Sequence, residues 1–272
     1  MPTSPSARSI EVNGASIECT IAGTGDSVVL VHSGITDSHM WDPQVEVLAE
    51  RFRVVRYDLR GFGRSSIPPE PYTHHEDLHG VFRTLDLGPA VLLGASYGGD
   101  VATAFALEYP ELTRALILVN SLVGVTEPSS GLRAGWRAVN EAMEAGNVEE
   151  AVELESRMWV DGPYRTPDQV DPLLRERVAA MNAAIFARAH EQEAAEEREL
   201  EPPAVERLSE IAVPVLVVVG ELDQPDALVS AEALVAGIPN ARKVRIANTA
   251  HLPSLERPDE FNRIVLEFLT TC

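Results

Sequence analysis

Lysine is almost missing from this chain. Lys243 is the only one in 272 residues, and 22 Lys plus Arg face 42 Asp plus Glu, for a formal net charge of −20. A surface of that sign cannot displace counterions from a phosphate backbone, which excludes nucleic acid and an anionic membrane surface as natural partners. Cysteine is nearly as scarce: Cys19 and Cys272 form no spaced set for a disulfide framework or a thiolate metal site and fit a reducing compartment. No apolar run is long enough to span a bilayer, and Met1-Pro2-Thr3-Ser4-Pro5-Ser6-Ala7-Arg8 lacks the apolar core of an export signal. The expectation is a cytoplasmic protein with no membrane segment. Core-forming material is present in ordinary amounts, with 45% hydrophobic and 24% charged residues, which excludes wholesale disorder.

The order of patterns predicts an α/β fold. Two alternating runs, residues 9–12 and 15–22, flank Asn13-Gly14 and read as a hairpin. Strand-sized runs at 27–32, 53–57, 90–94 and 115–119 then alternate with helical stretches at 41–51, 75–85 and 97–109. Runs apolar on both faces are buried parallel strands, so the order is that of a doubly wound sheet with helices on both sides. From about 121 to 205 the strand pattern stops and helix formers fill the interval; it resumes at 213–219 and 242–246, and a last amphipathic helix covers 258–269. The predicted organisation is a core of residues 1–120 and 206–272 with a helical cap at 121–205. The acidic run 190–201 reads as a solvated helix face, with a partner surface as the lesser alternative.

Chemistry concentrates where strands end. Gly94-Ala95-Ser96-Tyr97-Gly98 matches Gly-x-Ser-x-Gly at a point where a buried strand runs straight into a helix. A serine on so sharp a turn takes a strained backbone, the two glycines remove side chains that would collide, and the hydroxyl is left exposed at the end of the sheet. The helix starting at Tyr97 aims N–H groups at the same spot. Such a hydroxyl needs a base and an orienting acid at later strand ends. His251 follows the last strand. Asp223 follows the strand at 213–219, with Glu221 and Asp226 as rival acids, while the preceding strand end offers Asn120 and no carboxylate. A second oxyanion donor is expected in the loop His32-Ser33-Gly34-Ile35, which makes the N–H groups of Gly34 and Tyr97 the predicted pair. His32 itself reads as a hydrogen-bonded structural histidine, and His74, His75 and His79 as a solvated helix start.

With these residues in view the chain resembles the α/β-hydrolase superfamily. The matching stretches are Leu30-Val31-His32-Ser33-Gly34, Met40-Trp41-Asp42-Pro43-Gln44, Arg56 through Ser65 (RYDLRGFGRS), Gly94 to Gly99, Gly220 to Asp223, and His251. The segments 40–72 and 252–261 look most like the 3-oxoadipate enol-lactonase group, and the likeness leaves out the helical insertion. It implies an α/β-hydrolase fold, a Ser-Asp-His triad, acyl transfer to water without a cofactor or metal, and a small-molecule ester or lactone as substrate. Ser96 at the elbow argues against the alkyl-carbon chemistry of members that carry an aspartate there.

Three alternatives keep the fold: hydrolysis of carbon–carbon bonds in β-diketone-type compounds, cofactor-free perhydrolysis, and a ligand-binding protein of low turnover. In the insertion, Trp136 and Trp159 are the candidate pocket residues, while Met143, Met158, Met181 and Phe186 also read as core at helical spacing. Arg133, Arg137 and Arg157 are candidates to hold a substrate carboxylate, weighed against surface ion pairs. A homodimer is compatible with the sequence.

Overall fold

The computed structural model describes residues 6–271, apart from the side chains of residues 192 and 193. The opening residues Met1 to Pro5 and the second cysteine, Cys272, lie outside the described residues; Cys19 is buried and free. In chain order the elements are β1 (Ser6–Val12), β2 (Ala15–Ala22), β3 (Ser27–Val31), α1 (Asp42–Leu48), β4 (Arg53–Tyr57), α2 (His74–Thr84), β5 (Ala90–Ala95), α3 (Tyr97–Glu108) and β6 (Thr113–Val119). Then follow α4 (Ser130–Glu144), α5 (Val148–Glu155), a π turn (Ser156–Asp161), α6 (Pro172–Phe186), α7 (Ala189–Glu193), β7 (Val215–Gly220), α8 (Pro225–Gly237), β8 (Ala241–Ile246), α9 (Pro253–Glu256) and α10 (Pro258–Leu269).

The eight strands form one sheet in the order β1-β2-β4-β3-β5-β6-β7-β8. β2 runs antiparallel to both β1 and β4, and all other pairs are parallel. Asn13 and Gly14 turn the hairpin with φ of 47° and 80°, the left-handed pair that such a two-residue turn needs. Because side chains alternate across a strand, each central strand feeds two cores. Leu92 of β5 packs with Phe82 of α2 and Phe105 of α3 on one face, while Val91 and Leu93 pack with Leu48 of α1 and Phe261 of α10 on the other. Because β3 to β8 all run parallel, their carboxyl ends open on the same edge of the sheet, where ligands of open α/β sheets bind.

Between β6 and β7 lie α4 to α7. α4 and α5 share a small core of Val139, Ala142 and Ala151, against which Met143, Met158 and Phe186 pack, whereas Met181 of α6 joins the core on the α1 and α10 side. The acidic run departs from its expected form. α7 ends at Glu193, and the chain then runs extended across Tyr72: Tyr72 N–H donates to the Glu196 carbonyl (3.0 Å) and Arg198 N–H to the Tyr72 carbonyl (2.8 Å). Its second half is not helical but a strap whose residues Glu196 to Glu199 remain exposed while Glu197 also lines a pocket.

Candidate active site

β5 runs into α3 through Ser96, whose φ of 50° and ψ of −119° lie in a region that side chains rarely adopt. The flanking glycines are there for steric reasons. A Cβ on Gly94 would sit 2.1 Å from the Gly98 carbonyl oxygen, and one on Gly98 would sit 2.3 Å from the Val31 carbonyl oxygen. The backbone N–H of Ser96 is tied to the Val119 carbonyl (2.7 Å), so the turn is anchored to β6. Its hydroxyl makes no hydrogen bond among the described residues and lines the cavity described below. Tyr97 is the first residue of α3, so its N–H has no partner within the helix. Gly34 lies against it, but a Cβ there would stand 3.6 Å from Tyr97 Cβ, an ordinary contact. No neighbouring protein atom therefore demands glycine at this place.

His251 follows β8, and its Nδ1 lies 2.8 Å from Asp223 Oδ2. Both side chains are buried, at 2% and 0% exposure. A carboxylate only accepts, so Nδ1 carries the proton and Nε2 is left as the acceptor. The other Asp223 oxygen takes the Gln224 N–H at 2.7 Å. The rival acids go elsewhere. Glu221 accepts from Asn248 N–H at 3.4 Å on the surface, and Asp226 accepts from the N–H and hydroxyl of Ser129, the residue before α4. Asn120 is more than a vacancy where an acid is missing: its side chain donates to the Ala250 carbonyl and accepts from Gly220 N–H, both at 3.0 Å, and so ties the ends of β6 and β7 to the loop of His251.

The insertion grips the same loops. Trp159, on the π turn, accepts the His251 N–H on its carbonyl (3.3 Å) and sets its ring 4.3 Å from the imidazole. The Met158 carbonyl accepts from the Gln224 side chain at 2.7 Å. Gly162 closes the turn with a φ of 72°, and a Cβ there would strike the Leu222 carbonyl at 2.6 Å. Arg165 completes the clasp, donating to the carbonyls of Val160 and Asp161 and to Glu256, whose other oxygen accepts the Ala250 N–H. π turns next to α-helical segments recur at functional sites, and this one carries Trp159, whose ring lies against the imidazole.

Ser96, Tyr97, Gly34, His251, Trp136 and Trp159 all line one cavity of about 580 Å³. Asp223 lies behind His251. The same cavity holds groups that the sequence reading missed or misplaced: His74, Asp100, Glu155 and Glu197. His74 was expected on a solvated helix start, yet it is 4% exposed among Phe62, Tyr72 and Tyr97, and neither ring nitrogen has a hydrogen-bond partner. Burial drives its pKa down to about 3, so the ring is neutral. Burial pushes the carboxyls of Asp100 and Glu155 the other way, each up to about 7. Glu197, from the strap, accepts a hydrogen bond from the Tyr97 hydroxyl. The three arginines considered for a substrate carboxylate do not reach this cavity. Arg133 donates to the Pro128 carbonyl, Arg157 pairs with Asp161 at 3.5 Å, and Arg137 lines a groove on the outer side of α4. His32, as expected, is structural: it accepts the Leu59 N–H at Nε2 (2.9 Å) and donates from Nδ1 to the Ser33 carbonyl (2.8 Å).

Known proteins share this build. 3-Oxoadipate enol-lactonase 1 of Acinetobacter baylyi is 25% identical over 264 residues, which cover 96% of this chain and 92% of that protein. The crystal structure of the enol-lactonase from Burkholderia xenovorans superposes with a TM-score of 0.79 at 26% identity, covering 97% of this chain and all of that one. A thermophilic esterase from Thermogutta terrifontis superposes with a TM-score of 0.79 at 28% identity and 98% coverage of both chains. The sheet order, the serine elbow between β5 and α3, and a match of residues 26–258 to the model of the alpha/beta hydrolase fold lead to one assignment: the chain belongs to the α/β-hydrolase family.

Proposed function

We propose that the protein hydrolyses small carboxylic esters or lactones through an acyl-enzyme on Ser96. The observation that carries this reading is the buried His251–Asp223 pair, with the free Nε2 of the imidazole in the cavity that the elbow serine also lines. In this account Ser96 Oγ attacks the substrate carbonyl carbon while its proton passes to His251 Nε2. Asp223 holds the ring in the tautomer that can take that proton and stabilises the imidazolium that results. The N–H groups of Gly34 and Tyr97 receive the oxyanion, and the start of α3 adds the favourable end of its dipole. The proton then goes to the leaving alkoxide, the carbon–oxygen bond breaks, and water repeats the sequence to free the acid and restore Ser96. A lactonase and an esterase among the relatives support the same bond type.

In the same reading, residues 121–205 act as a cap that shapes substrate choice, with Trp136 and Trp159 as walls and no reacting group of its own. The test is labelling with a fluorophosphonate followed by peptide mapping, together with turnover of p-nitrophenyl esters, simple lactones and β-diketones. Covalent labelling at Ser96 with cleavage of esters or lactones is expected. Absence of label with a functional Ser96→Ala variant overturns the proposal, and cleavage of the β-diketones alone moves the activity to carbon–carbon bonds.

A further inference from the structure

The cavity has an unusual charge. Its walls present three carboxyl groups, Asp100, Glu155 and Glu197, and no arginine or lysine. Among the described residues none of the three is paired with a basic side chain, apart from the neutral imidazole of His74 at 4.0 Å from Glu197. They come from three separate elements: the first turn of α3, the end of α5 and the strap after α7. Buried carboxyls are normally paired or hydrogen-bonded, because desolvation penalises the charged form. Asp100 accepts from Ser121 Oγ (2.8 Å) and also meets the N–H groups of Leu122 and Val123, Glu155 meets the Trp159 side chain, and Glu197, 41% exposed at the edge of the cavity, accepts from the Tyr97 hydroxyl. One oxygen of Glu155 and both nitrogens of His74 are shut from solvent without any partner. The remaining wall is largely aromatic, with Trp136 and Trp159 on the insertion side.

Resting on the hydrolase reading above, we propose that the substrate is an ester or lactone whose non-reacting part carries a cationic nitrogen, seated between Glu155 and Glu197 against the aromatic wall. A cation there meets the carboxylates and the negative faces of the rings together, a combination that binds alkylammonium groups. It also supplies the opposite charge that the desolvated carboxyl of Glu155, at about 7, lacks, which favours its ionised form. A second carboxylate on the substrate, such as an oxoadipate lactone would bring, meets only like charge in this cavity.

The experiment uses three p-nitrophenyl esters with the same acyl chain, ended by a trimethylammonio, a tert-butyl or a carboxylate group. The leaving group is shared, so kcat/KM reports the cavity. Wild-type protein is expected to prefer the cationic over the neutral ester by about tenfold or more and to reject the anionic one. Glu155→Gln and Glu197→Gln, singly and together, should bring the ratio of cationic to neutral ester towards unity, while Glu267→Gln, on the outer face of α10, leaves that ratio in place and so discounts the general field of an acidic protein. In parallel, butyltrimethylammonium chloride is titrated calorimetrically into Ser96→Ala and into the glutamate variants. Binding to Ser96→Ala that is lost in the glutamate variants supports the inference even if no ester is cleaved, an outcome that would remove only the hydrolase reading. Esters cleaved with the neutral or anionic member preferred, or a cationic preference indifferent to both glutamates, overturns it.

Discussion

The backbone N–H of His251 donates to the carbonyl of Trp159 at 3.3 Å while the two rings lie 4.3 Å apart. One residue of the insertion thus both positions the imidazole loop and roofs the ring. Replacing the side chain leaves the carbonyl bond in place and so tests the ring, both against the imidazole and at the cavity wall. Trp159→Phe is expected to lower kcat and to shift preference between short and medium p-nitrophenyl esters, whereas Trp136→Ala, which touches the cavity from α4 alone, should alter preference by the roughly 1–3 kcal/mol of a changed apolar pocket with less effect on kcat. Folded variants of both with the wild-type chain-length profile would show that these tryptophans are packing only.

Ser96→Ala should abolish turnover by several orders of magnitude and leave the melting temperature unchanged or raised. The serine holds a φ of 50° that contributes nothing to packing, and strain of this kind costs about 1–3 kcal/mol. Ser96→Gly separates the two effects, since glycine adopts that conformation freely and should be the more stable of the pair. Turnover retained within about tenfold in either variant would contradict a serine nucleophile.

Asp223→Asn should lower kcat by about 10⁴, the scale expected when the acid behind a histidine base becomes an amide and the tautomer is lost. Glu221→Gln should do little, because that carboxylate faces outward to Asn248. A larger loss in the Glu221 variant would reverse the assignment.

Asn120→Ala removes two buried side-chain hydrogen bonds and places alanine at a φ of 47°, where asparagine is tolerated and alanine is not. A loss of about 1–3 kcal/mol in urea unfolding is expected, together with a fall in kcat, because the Ala250 carbonyl it holds precedes His251. Unchanged stability with full activity would mean that the strand ends are held without it.

Glu155 makes a prediction about pH. Its folded-state pKa of about 7 lies above the ordinary 4.5, so the folded form keeps a proton that the unfolded form has already released, and wild-type stability falls as pH rises from about 4.5 to 7. Glu155→Gln removes that loss. The variant should be more stable than wild type, by more at pH 8 than at pH 5, with the gain of order 1–3 kcal/mol. A gain that is the same at both pH values would show that this carboxyl is not strongly desolvated.

How much of this was legible in the sequence follows from how local each requirement is. The elbow could be read because Gly94 and Gly98 are demanded by atoms only a few residues away and by one neighbouring strand. Asp223 and His251 were legible from their places after consecutive strands. What escaped was the inward turn of polar side chains, which long-range packing decides. A signal did exist for two of them: His74 precedes Leu78 and Val81 by four and seven residues, on the buried stripe of α2, and Glu155 lies four residues from both Ala151 and Trp159. Periodicity read without regard to residue type would have placed both inside. For Glu197 no such signal exists, since a run of glutamates favours a solvated helix, and only the pairing with Tyr72 lifts it onto the rim.

The clasp between the π turn and the two loops also limits which wall of the cavity can move without cost to the catalytic loops. His251, Gln224 and Gly162 all meet that turn, and Arg165 with Glu256 bolts it down, so swinging this side outward would unseat the imidazole and disturb the loop beside its acid. Among the described residues Trp136, Ala195 and Glu197, which line the same cavity, make no hydrogen bond to the imidazole loop. A wall movement that leaves the base and its acid in register would therefore fall among those residues, because on the clasp side the wall and the catalytic loops are one piece of hydrogen-bonded backbone.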